Sequence, residues 1–407
     1  MESISIAEAR RRWADVLQTQ QRNIESIPAF GALGRVLAAP VLAQTAMPPF
    51  RKSPYDGYAI PYEPNRQEFT VVGTIGAGEV FRGAVAPGEA VRIMTGAPLP
   101  TDCDTVIMQE RCQCDGTRLI VSGAIKKGDN VIPVGEECEA GERIVEAGAV
   151  IDAGRLAVVV GLGVESLSVY TTLKGLLLTS GREITEPGYA LEPGKIYNSN
   201  RFMLQGLLAE MNITDVQWHH VSDDPAQLAA EIEKVKQLAG DVDFIISTGG
   251  VSVGLYDTMP DIFEALGASK LYDRLQMRPG AASYGGFIAA RGVPCFGLSG
   301  NPSAAYNTFQ LLTAPALRQL QGLKKTVPVV VPVKLGAPIH HRNPFDRYVQ
   351  GVIEEQQGEI RFVPNRLFTS SALLGLAHVN GLAMLSQGQH EYNEGDVVPV
   401  TLLKTWQ

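Results

Sequence analysis

The spacing of hydrophobic positions changes several times along the chain, and each change predicts a different kind of structure. Near the N-terminus Ile6, Ala9 and Trp13 recur at helical intervals. Ser5 stands three residues before Glu8, which is the spacing of a capping box at a helix start. An amphipathic helix is therefore predicted for this segment.

Residues 47–137 have the pattern of a small antiparallel β domain. Turns rich in Gly, Pro and Asp separate short β-rich runs, which are Phe69–Val72, Ala90–Met94, Thr105–Met108 and Leu119–Val121. The final stretch, residues 326–407, is again rich in short strands. A C-terminal β-barrel is the expectation for it.

Residues 171–325 alternate buried strands with helices. The apolar runs Leu176–Leu178, Phe244–Ile246 and Val293–Leu298 each lead into a turn that contains Ser and Gly. Helical patterns begin near Asn198–Asn200 and Asp224–Pro225. This alternation predicts a doubly wound, mostly parallel α/β domain covered on both faces. Ligands bind such sheets at the carboxyl ends of the strands.

The predicted fold is therefore a multidomain combination of α/β and β units. After the β domain 47–137, residues 138–170 are expected to return the chain to the neighbourhood of residues 1–46. The changes of pattern divide the chain into 1–46, 47–137, 138–170, 171–325 and 326–407.

Composition narrows the functional classes. A chain of 407 residues is too long for one hydrophobic core, and its net charge of -8 argues against nucleic acid as the main partner. No stretch reaches the ~20 apolar residues that cross a bilayer, and none has the pattern of a secretory leader. We therefore expect a cytoplasmic protein that does not bind membranes. Its five cysteines are expected to be reduced, with Cys112 and Cys114 too few for a metal site.

The strongest candidate binding segment is Ser247–Gly254 together with Asp257. It begins where a buried strand ends, and its glycines let the backbone approach a ligand closely while free amides favour an anion. Ser252 adds a hydroxyl donor, and Asp257 has the chemistry to hold a metal or a ribose. A tight strand-to-helix turn without any ligand is the alternative interpretation.

Two other regions carry candidate chemistry. Gly297–Pro302 also links a strand end to a helix, and it is expected to lie beside the first segment. Arg274 and Arg278 supply cations at the same edge, although either arginine alone is more simply a solvated surface charge. In the β domain, Asp56 and Thr95 lie in turns that are either part of a site or ordinary turn chemistry.

Taken in order, these segments resemble the molybdopterin molybdenumtransferase family, which includes bacterial MoeA and the gephyrin E domain. The resemblance covers essentially the whole chain. It implies that residues 1–46 and 138–170 form one elongated, discontinuous helical/β domain into which the β domain 47–137 is inserted. It also implies a homodimer whose site lies between the α/β domain of one subunit and the Asp56 domain of the other. The matching segments are Asp56–Ala59, Met94–Pro98, Gly135-Glu136, Ser247–Gly254 with Asp257, Arg278–Gly280 and Gly300–Pro302.

This resemblance implies an enzyme that uses Mg²⁺ to cleave adenylylated molybdopterin, releases AMP and leaves molybdenum from molybdate on the dithiolene. Asp56, Asp257 and Glu137 are the predicted catalytic residues, and the two aspartates are also the predicted Mg²⁺ ligands. The residues predicted to bind substrate are Thr95, Thr248, Gly249, Gly250, Ser252, Gly254, Arg274, Arg278, Gly300, Asn301, Pro302, Arg182 and Ser370.

The chain also departs from the family pattern. Arg182 stands where the family usually has Asp, Glu137 where it has Asp, Ala281 where it has Lys, and Ala304 where it has Ser; Gln350 stands where a barrel arginine is usual. These changes remove hydrogen-bond donors for a small dianion but leave the glycine loops intact. Tight pterin binding with weak molybdate binding is therefore expected, with the Arg182 guanidinium restoring part of the loss.

Two alternatives to the enzyme stay open. One is a non-catalytic or weakly catalytic paralogue that binds the pterin or nucleotide and acts as a carrier or scaffold. The other is a nucleotide hydrolase that shares only the α/β domain, against which the matching β domain and barrel argue.

Overall fold

The N-terminal helix is confirmed. A computed structural model contains α1 (Ile6–Leu17), and the hydroxyl of Ser5 accepts a hydrogen bond from the Glu8 backbone N–H at 3.1 Å, which caps the helix. None of the described helices is long and apolar enough to cross a membrane. The structure describes residues 3–251, 258–341, 344–356, 358–389 and 391–403.

Helix α1 packs against the α/β unit. The Trp13 ring lies 4.6 Å from the Phe296 ring between centroids, and its indole N–H donates to the Tyr272 hydroxyl at 3.2 Å. Sequence patterns grouped this helix with residues 1–46 in the discontinuous domain. The domain boundaries remain predictions, and this packing favours moving residues 4–17 to the α/β unit.

Two short strands lead into the inserted β unit. They and the strands of the unit are β1 (Ile24–Pro28), β2 (Val41–Leu42), β3 (Gly57–Ile60), β4 (Glu68–Ile75), β5 (Glu89–Ile93), β6 (Thr105–Met108), β7 (Cys112–Asp115) and β8 (Arg118–Val121). Strands β3 to β8 form one sheet in the order β6-β3-β5-β4-β8-β7. The pair β4–β5 is parallel, so the prediction of a purely antiparallel sheet was wrong for that pair. Residues 76–88 supply the connection of about a dozen residues that a parallel pair needs.

The segments that flank the inserted unit share one core. After the insertion come β9 (Arg143–Val145), α2 (Ala153–Gly161) and β10 (Ser166–Tyr170). Strand β1 pairs antiparallel with β10, and β2 pairs with β9. Leu37 and Val41 from the first segment are buried with Val145, Val159 and Val169 from the second. The two halves of this unit are therefore held together by packing and by strand pairing.

The α/β unit contains a six-stranded sheet in the order β14-β11-β15-β19-β18-β16. Strands β14, β11, β15 and β19 run parallel, and β18 and β16 are antiparallel additions at one edge. Its elements are β11 (Lys174–Ser180), β12 (Ile184–Thr185), β13 (Ile196–Tyr197), α3 (Ser199–Glu210), β14 (Asp215–Val221), α4 (Leu228–Leu238), β15 (Phe244–Thr248), α5 (Met259–Ala265), β16 (Ser269–Tyr272), β17 (Met277–Arg278), β18 (Tyr284–Ile288), β19 (Val293–Leu298), α6 (Pro302–Thr308) and α7 (Ala314–Gln321).

Both faces of this sheet are buried, as the continuous apolar runs predicted. Leu177 and Ile246 belong to one hydrophobic core, whereas their neighbours Leu176, Leu178 and Ile245 belong to the core on the opposite face. The chain passes from β11 to β14 on one side and then to β15 on the other. The carboxyl ends of β11 and β15 therefore flank a topological switch point, where sheets of this kind bind ligands.

The C-terminal unit is a sheet whose pairings close into a ring. Strand β22 pairs with both β23 and β24, and the remaining order runs through β20 and β26. Strand β17 of the α/β unit adds to β22 in parallel, which joins the two units. A barrel stays a prediction for this region. Its strands are β20 (Val330–Leu335), β21 (Ile339–His340), β22 (Asp346–Gln356), β23 (Glu359–Pro364), β24 (Gly381–Leu385), β25 (Glu391–Tyr392) and β26 (Val397–Leu402).

We predict that Trp13→Ala destabilises the α/β unit strongly, because the indole is 2% exposed and packs on Phe296. Removing a buried Trp side chain lowers the free energy of unfolding by about 3–5 kcal/mol. Calorimetric unfolding should show the α/β transition at a clearly lower temperature. Arg11→Ala on the exposed side of the same helix is the control, with an expected change below about 0.5 kcal/mol. A Trp13 effect as small as the control would mean that the helix does not contribute to this core.

Candidate functional site

Three strand-end turns converge at the switch point. Gly249 and Gly250 follow β15 and have φ angles of +83° and +66°, which side-chain-bearing residues rarely adopt. A Cβ atom built on Gly249 would lie 2.5 Å from the carbonyl oxygen of Ser180 after β11, and one built on Gly300 would lie 3.5 Å from the Cα of Gly249. The predicted side-by-side arrangement of the two glycine loops is confirmed, and only glycine permits the approach at position 249.

The amides of these turns are partly used within the protein. The N–H of Gly249 donates to the Leu298 carbonyl at 3.1 Å, so this amide links the end of β15 to the end of β19. The N–H of Asn301 donates to the Ser299 hydroxyl at 3.2 Å. The Gly249 N–H is therefore already engaged within the protein. Predicted site residues Ser252, Gly254 and Asp257 lie outside the described residues.

Asn200 is a site residue that sequence reasoning missed. Its side-chain Nδ2 donates to the Thr248 hydroxyl and to the Gly300 carbonyl, both at 2.8 Å. The segment Asn198–Asn200 was interpreted only as a helix cap, and Asn198 is indeed the cap, accepting from the Arg201 N–H at 3.3 Å. A second Asn two residues after a satisfied cap, in the helix reached from β11, was the available clue.

A first cleft of about 410 Å³ opens beside Gly249 and Gly250. Arg182 lines it, and its guanidinium and backbone N–H both contact the carboxylate of Asp223 at 3.2 Å. This ion pair turns the arginine toward an acid on the neighbouring strand end. Ala281 and Ala304 do not line this cleft, so Arg182 is poorly placed to replace the donors lost at those two positions.

A second cleft of about 500 Å³ is strongly basic, and we call it the cationic cleft. Arg278, Arg347 and Arg366 line it together with His341 and the predicted residue Ser370. Burial and then the nearby charge of Arg278 lower the pKa of the Arg347 guanidinium. The arginine side chains give this cleft the chemistry to bind an oxyanion, because guanidinium groups offer paired N–H donors.

The substituted positions fall differently around this cationic cleft. Ala281 and Ala304 line it, as expected for positions that face a bound oxyanion. Gln350 does not: it is 1% exposed, and its Nε2 donates to the Ser303 carbonyl at 3.3 Å and to the Asn307 Oδ1 at 2.7 Å. The expectation that Gln350 faces the oxyanion was wrong, because the alternation along β22 turns that side chain toward α6.

A third cleft of about 620 Å³ lies over the start of α3. It is lined by three predicted site residues, Thr248, Asn301 and Pro302. Asn200 and apolar side chains of β13 and Leu373 complete the lining. It shares Ser180 and Gly300 with the first cleft, and the cationic cleft shares Ser299 with the first. The three clefts therefore form one continuous edge. Arg274 is exposed and lines none of the three.

The inserted unit carries a separate acidic position. The Asp56 carboxylate accepts hydrogen bonds from the backbone N–H of Thr95 at 2.7 Å and from its hydroxyl at 2.8 Å, so the two predicted residues do meet. These bonds, the backbone one first, lower the pKa of Asp56 and keep it ionised at neutral pH. Glu137 is exposed beside Met47, to whose carbonyl its N–H donates at 2.9 Å. No hydrogen bond links Glu137 to Asp56 or Thr95.

Among the described residues, no group of three or more His, Cys, Asp or Glu side chains is arranged to hold a metal. The five cysteines are all free thiols, as expected. The Asp56 carboxylate is a candidate ligand for Mg²⁺, because this ion prefers carboxylate oxygens and completes its shell with water and substrate phosphates.

A doubly wound sheet whose switch point carries glycine loops, next to a basic cleft, is typical of proteins that bind anionic ligands at the carboxyl edge of the sheet. The chain matches the MoeA N-terminal region (domain I and II) over residues 4–163, a probable molybdopterin binding domain over 176–319, and the MoeA C-terminal region (domain IV) over 332–403. It belongs to the molybdopterin molybdenumtransferase family.

Whole-chain relatives agree with this assignment. The molybdopterin molybdenumtransferase of Staphylococcus epidermidis is 35% identical over 381 residues, which cover 92% of this chain and 90% of that one. A Staphylococcus aureus enzyme of the same name is 33% identical over the same shares. The crystal structure of the molybdopterin biosynthesis moeA protein from Pyrococcus horikoshii OT3 is similar in fold, with a TM-score of 0.81 and 25% identity over 98% of this chain and 100% of that chain.

We predict that Thr95→Val raises the pKa of Asp56 while leaving it below the ordinary value, because the hydroxyl donor is lost and the backbone N–H remains. The depressed pKa of Asp56 contributes stability above the unfolded-state pKa, and this contribution is lost as the pH falls through the folded-state value. The variant should therefore lose less stability on acidification. Carboxyl NMR titration measures the shift, and Thr101→Val, an exposed Thr of the same unit, is the control. An unchanged Asp56 titration would contradict the assigned hydrogen bond.

Proposed function

We propose that this chain inserts molybdate into adenylylated molybdopterin and releases AMP. The observation that supports this most directly is the meeting of the Gly249 and Gly300 loops with the cationic cleft along one sheet edge, where they share Ser299. A phosphate-bearing pterin and a small oxyanion would then lie next to each other. Family membership, and the names of the relatives, support the same reaction.

Molybdate is assigned to the cationic cleft. A dianion of this size matches a depression lined by Arg278, Arg347 and Arg366, since charge-assisted hydrogen bonds from guanidinium groups to oxyanions are about twice as strong as neutral ones. The weak molybdate binding expected from the sequence relied on Ala281, Ala304 and Gln350. Since Gln350 faces away and three arginines remain, we now expect the cleft to retain useful affinity.

Asp56 is the residue proposed to hold Mg²⁺. Its carboxylate is ionised and oriented by the two Thr95 donors, which leaves oxygen lone pairs for an ion. The bound ion would supply charge neutralisation at the pyrophosphate. Asp56 and Thr95 themselves would place that ion against a substrate phosphate rather than build a closed metal cage.

The position of Asp56 supports a shared site in a homodimer. No residue between 47 and 137 lines any of the three clefts, and the inserted unit has hydrophobic cores of its own. We propose that the inserted unit of one subunit faces the α/β edge of the other. This arrangement would bring the Asp56 carboxylate to the substrate phosphates.

The reaction is tested by incubating the protein with adenylylated molybdopterin, Mg²⁺ and molybdate while AMP release and molybdenum incorporation are followed together. Both are expected. Arg278→Ala should raise the molybdate concentration for half-maximal rate about tenfold, the cost of one charge-assisted hydrogen bond. Arg274→Ala is the matched control, since this arginine is four residues earlier, exposed, and outside the three clefts.

The outcomes separate the alternatives. AMP release without metal incorporation would favour a nucleotide hydrolase, and tight substrate binding without AMP release would favour a carrier or scaffold. Equal effects of Arg278→Ala and Arg274→Ala would contradict the assignment of molybdate to the cationic cleft. The proposed reaction itself would not be contradicted.

The shared site predicts complementation between two damaged subunits. The assay uses a molybdate concentration well below that for half-maximal rate, where Arg278→Ala has about one tenth of the wild-type activity. Asp56→Asn and Arg278→Ala each damage one half of a site, so a mixed dimer contains one intact site and one doubly damaged site. After unfolding and refolding together, activity should return to about a quarter of the wild-type value, since half of the dimers are mixed in a two-fold assembly. Sedimentation should show a dimer at micromolar concentration. A monomer, or a mixture no more active than its components, would contradict the shared site.

A further inference from the structure

Asn200 occupies a central position among the three strand ends. It is the second residue of α3, the helix reached from β11, and only 8% of its surface is exposed. From this helix its side chain contacts the end of β15 through the Thr248 hydroxyl and the loop after β19 through the Gly300 carbonyl, each at 2.8 Å. One amide group therefore connects three elements that are far apart in sequence.

The direction of each hydrogen bond follows from the chemistry of the partners. A carbonyl oxygen only accepts, so the NH₂ end of the Asn200 amide must face Gly300. The same NH₂ donates to the Thr248 hydroxyl, which in turn donates to the Ser299 carbonyl at 3.0 Å. These bonds form a directed chain from α3 to the second glycine loop, and such chains are rigid in a buried environment.

We infer that Asn200 is a positioning residue that sets the spacing of the Gly249 and Gly300 loops for the phosphate groups of the substrate. This inference rests on the proposed function, because it assumes that those loops bind phosphate. The contacts between the loops leave little tolerance, since a Cβ atom on Gly300 would already be 3.5 Å from the Gly249 Cα. A shift of one ångström in such a site can cost about a hundredfold in rate.

Stability alone does not account for an asparagine here. The Asn200 Oδ1 is buried and has no hydrogen-bond partner among the described residues. An unsatisfied buried acceptor costs about 1–3 kcal/mol, which offsets part of what the two donated hydrogen bonds contribute. The residue therefore carries an energetic penalty at the place where its donors hold the loops.

The isosteric change Asn200→Asp tests the role of the donors. At neutral pH a carboxylate would face the Gly300 carbonyl and repel it, so the loops would separate. KM for adenylylated molybdopterin should rise about tenfold, the effect of one lost hydrogen bond with its buried partner left unpaired. The value of kcat should fall as well, because the misplaced phosphates include the group that is cleaved. The rise in KM is therefore the readout that identifies positioning. A merely structural defect would instead lower the active fraction, which reduces kcat and leaves KM unchanged.

Protonation offers a rescue that is specific to this mechanism. The carboxyl group introduced by Asn200→Asp is buried beside two oxygen atoms, which raises its pKa. Once protonated, its O–H can again donate to Gly300 or Thr248. The KM of the variant and that of the wild type are compared at the same pH. Their ratio should approach one as the pH is lowered from about 8 to about 6.

Asn212→Asp is the matched control. Asn212 follows the other end of α3, and its Nδ2 donates to the Gly34 carbonyl at 3.2 Å, so the same chemical change breaks a similar bond outside the clefts. The left-handed backbone at Asn212, with φ of 59°, tolerates Asp. Both kinetic constants should stay within about twofold of wild type.

Three results for Asn200→Asp would each overturn the inference. They are a KM within twofold of wild type, a loss confined to kcat, and a rise in KM that does not depend on pH. If the wild type released no AMP, the proposed function would fail separately. The same comparison would then be made by calorimetry with inorganic pyrophosphate as the probe. Equal affinity of the wild type and Asn200→Asp for pyrophosphate would overturn the positioning role, and weaker binding by the variant alone would support it.

Discussion

The parallel pairing of β11 with β15, and of β15 with β19, is the constraint on which the candidate site depends. Parallel strands end at the same edge, so these two pairings bring Ser180, Gly249 and Gly300 within contact distance although 120 positions separate the first from the last. The register is maintained by alternating apolar residues that fill two opposite cores. Any slip in this register would separate the glycine loops and turn the side chains toward the wrong face.

Local patterns predicted much of this architecture. The capped first helix, the alternation of strands and helices, and both glycine loops follow from spacing within a few residues. What could not be predicted depends on long-range pairing. The parallel β4–β5 pair, the burial of Gln350 against α6, and the arrival of Arg347 and Arg366 beside Arg278 are set by contacts between distant segments. Asn200 is visible in the sequence, but its hydrogen-bond partners come from segments that only the folded sheet brings together.

Concentrating positive charge in the cationic cleft works against folding. Arg347 is almost fully buried, and the neighbouring Arg278 makes its charged state still less favourable, which is why its pKa is lowered. A bound dianion would relieve this repulsion, so affinity for the oxyanion and stability of this edge are linked. The Asp56 turn has the opposite character, with an anion stabilised by neutral donors. The two halves of the proposed site are therefore electrostatically complementary.

The strand β17 has a consequence for how such proteins diversify. Because Met277 and Arg278 pair with Asp346 and Arg347 of the C-terminal ring, the boundary between the two units in space does not coincide with a boundary in sequence. A recombination event that replaced residues 326–407 with those of a relative would leave β17 in place. Strand β17 would then have to pair with the relative's strand in the position of β22. Exchange of the ring alone would therefore preserve this junction only if the incoming strand could pair with residues 277–278 in the same register.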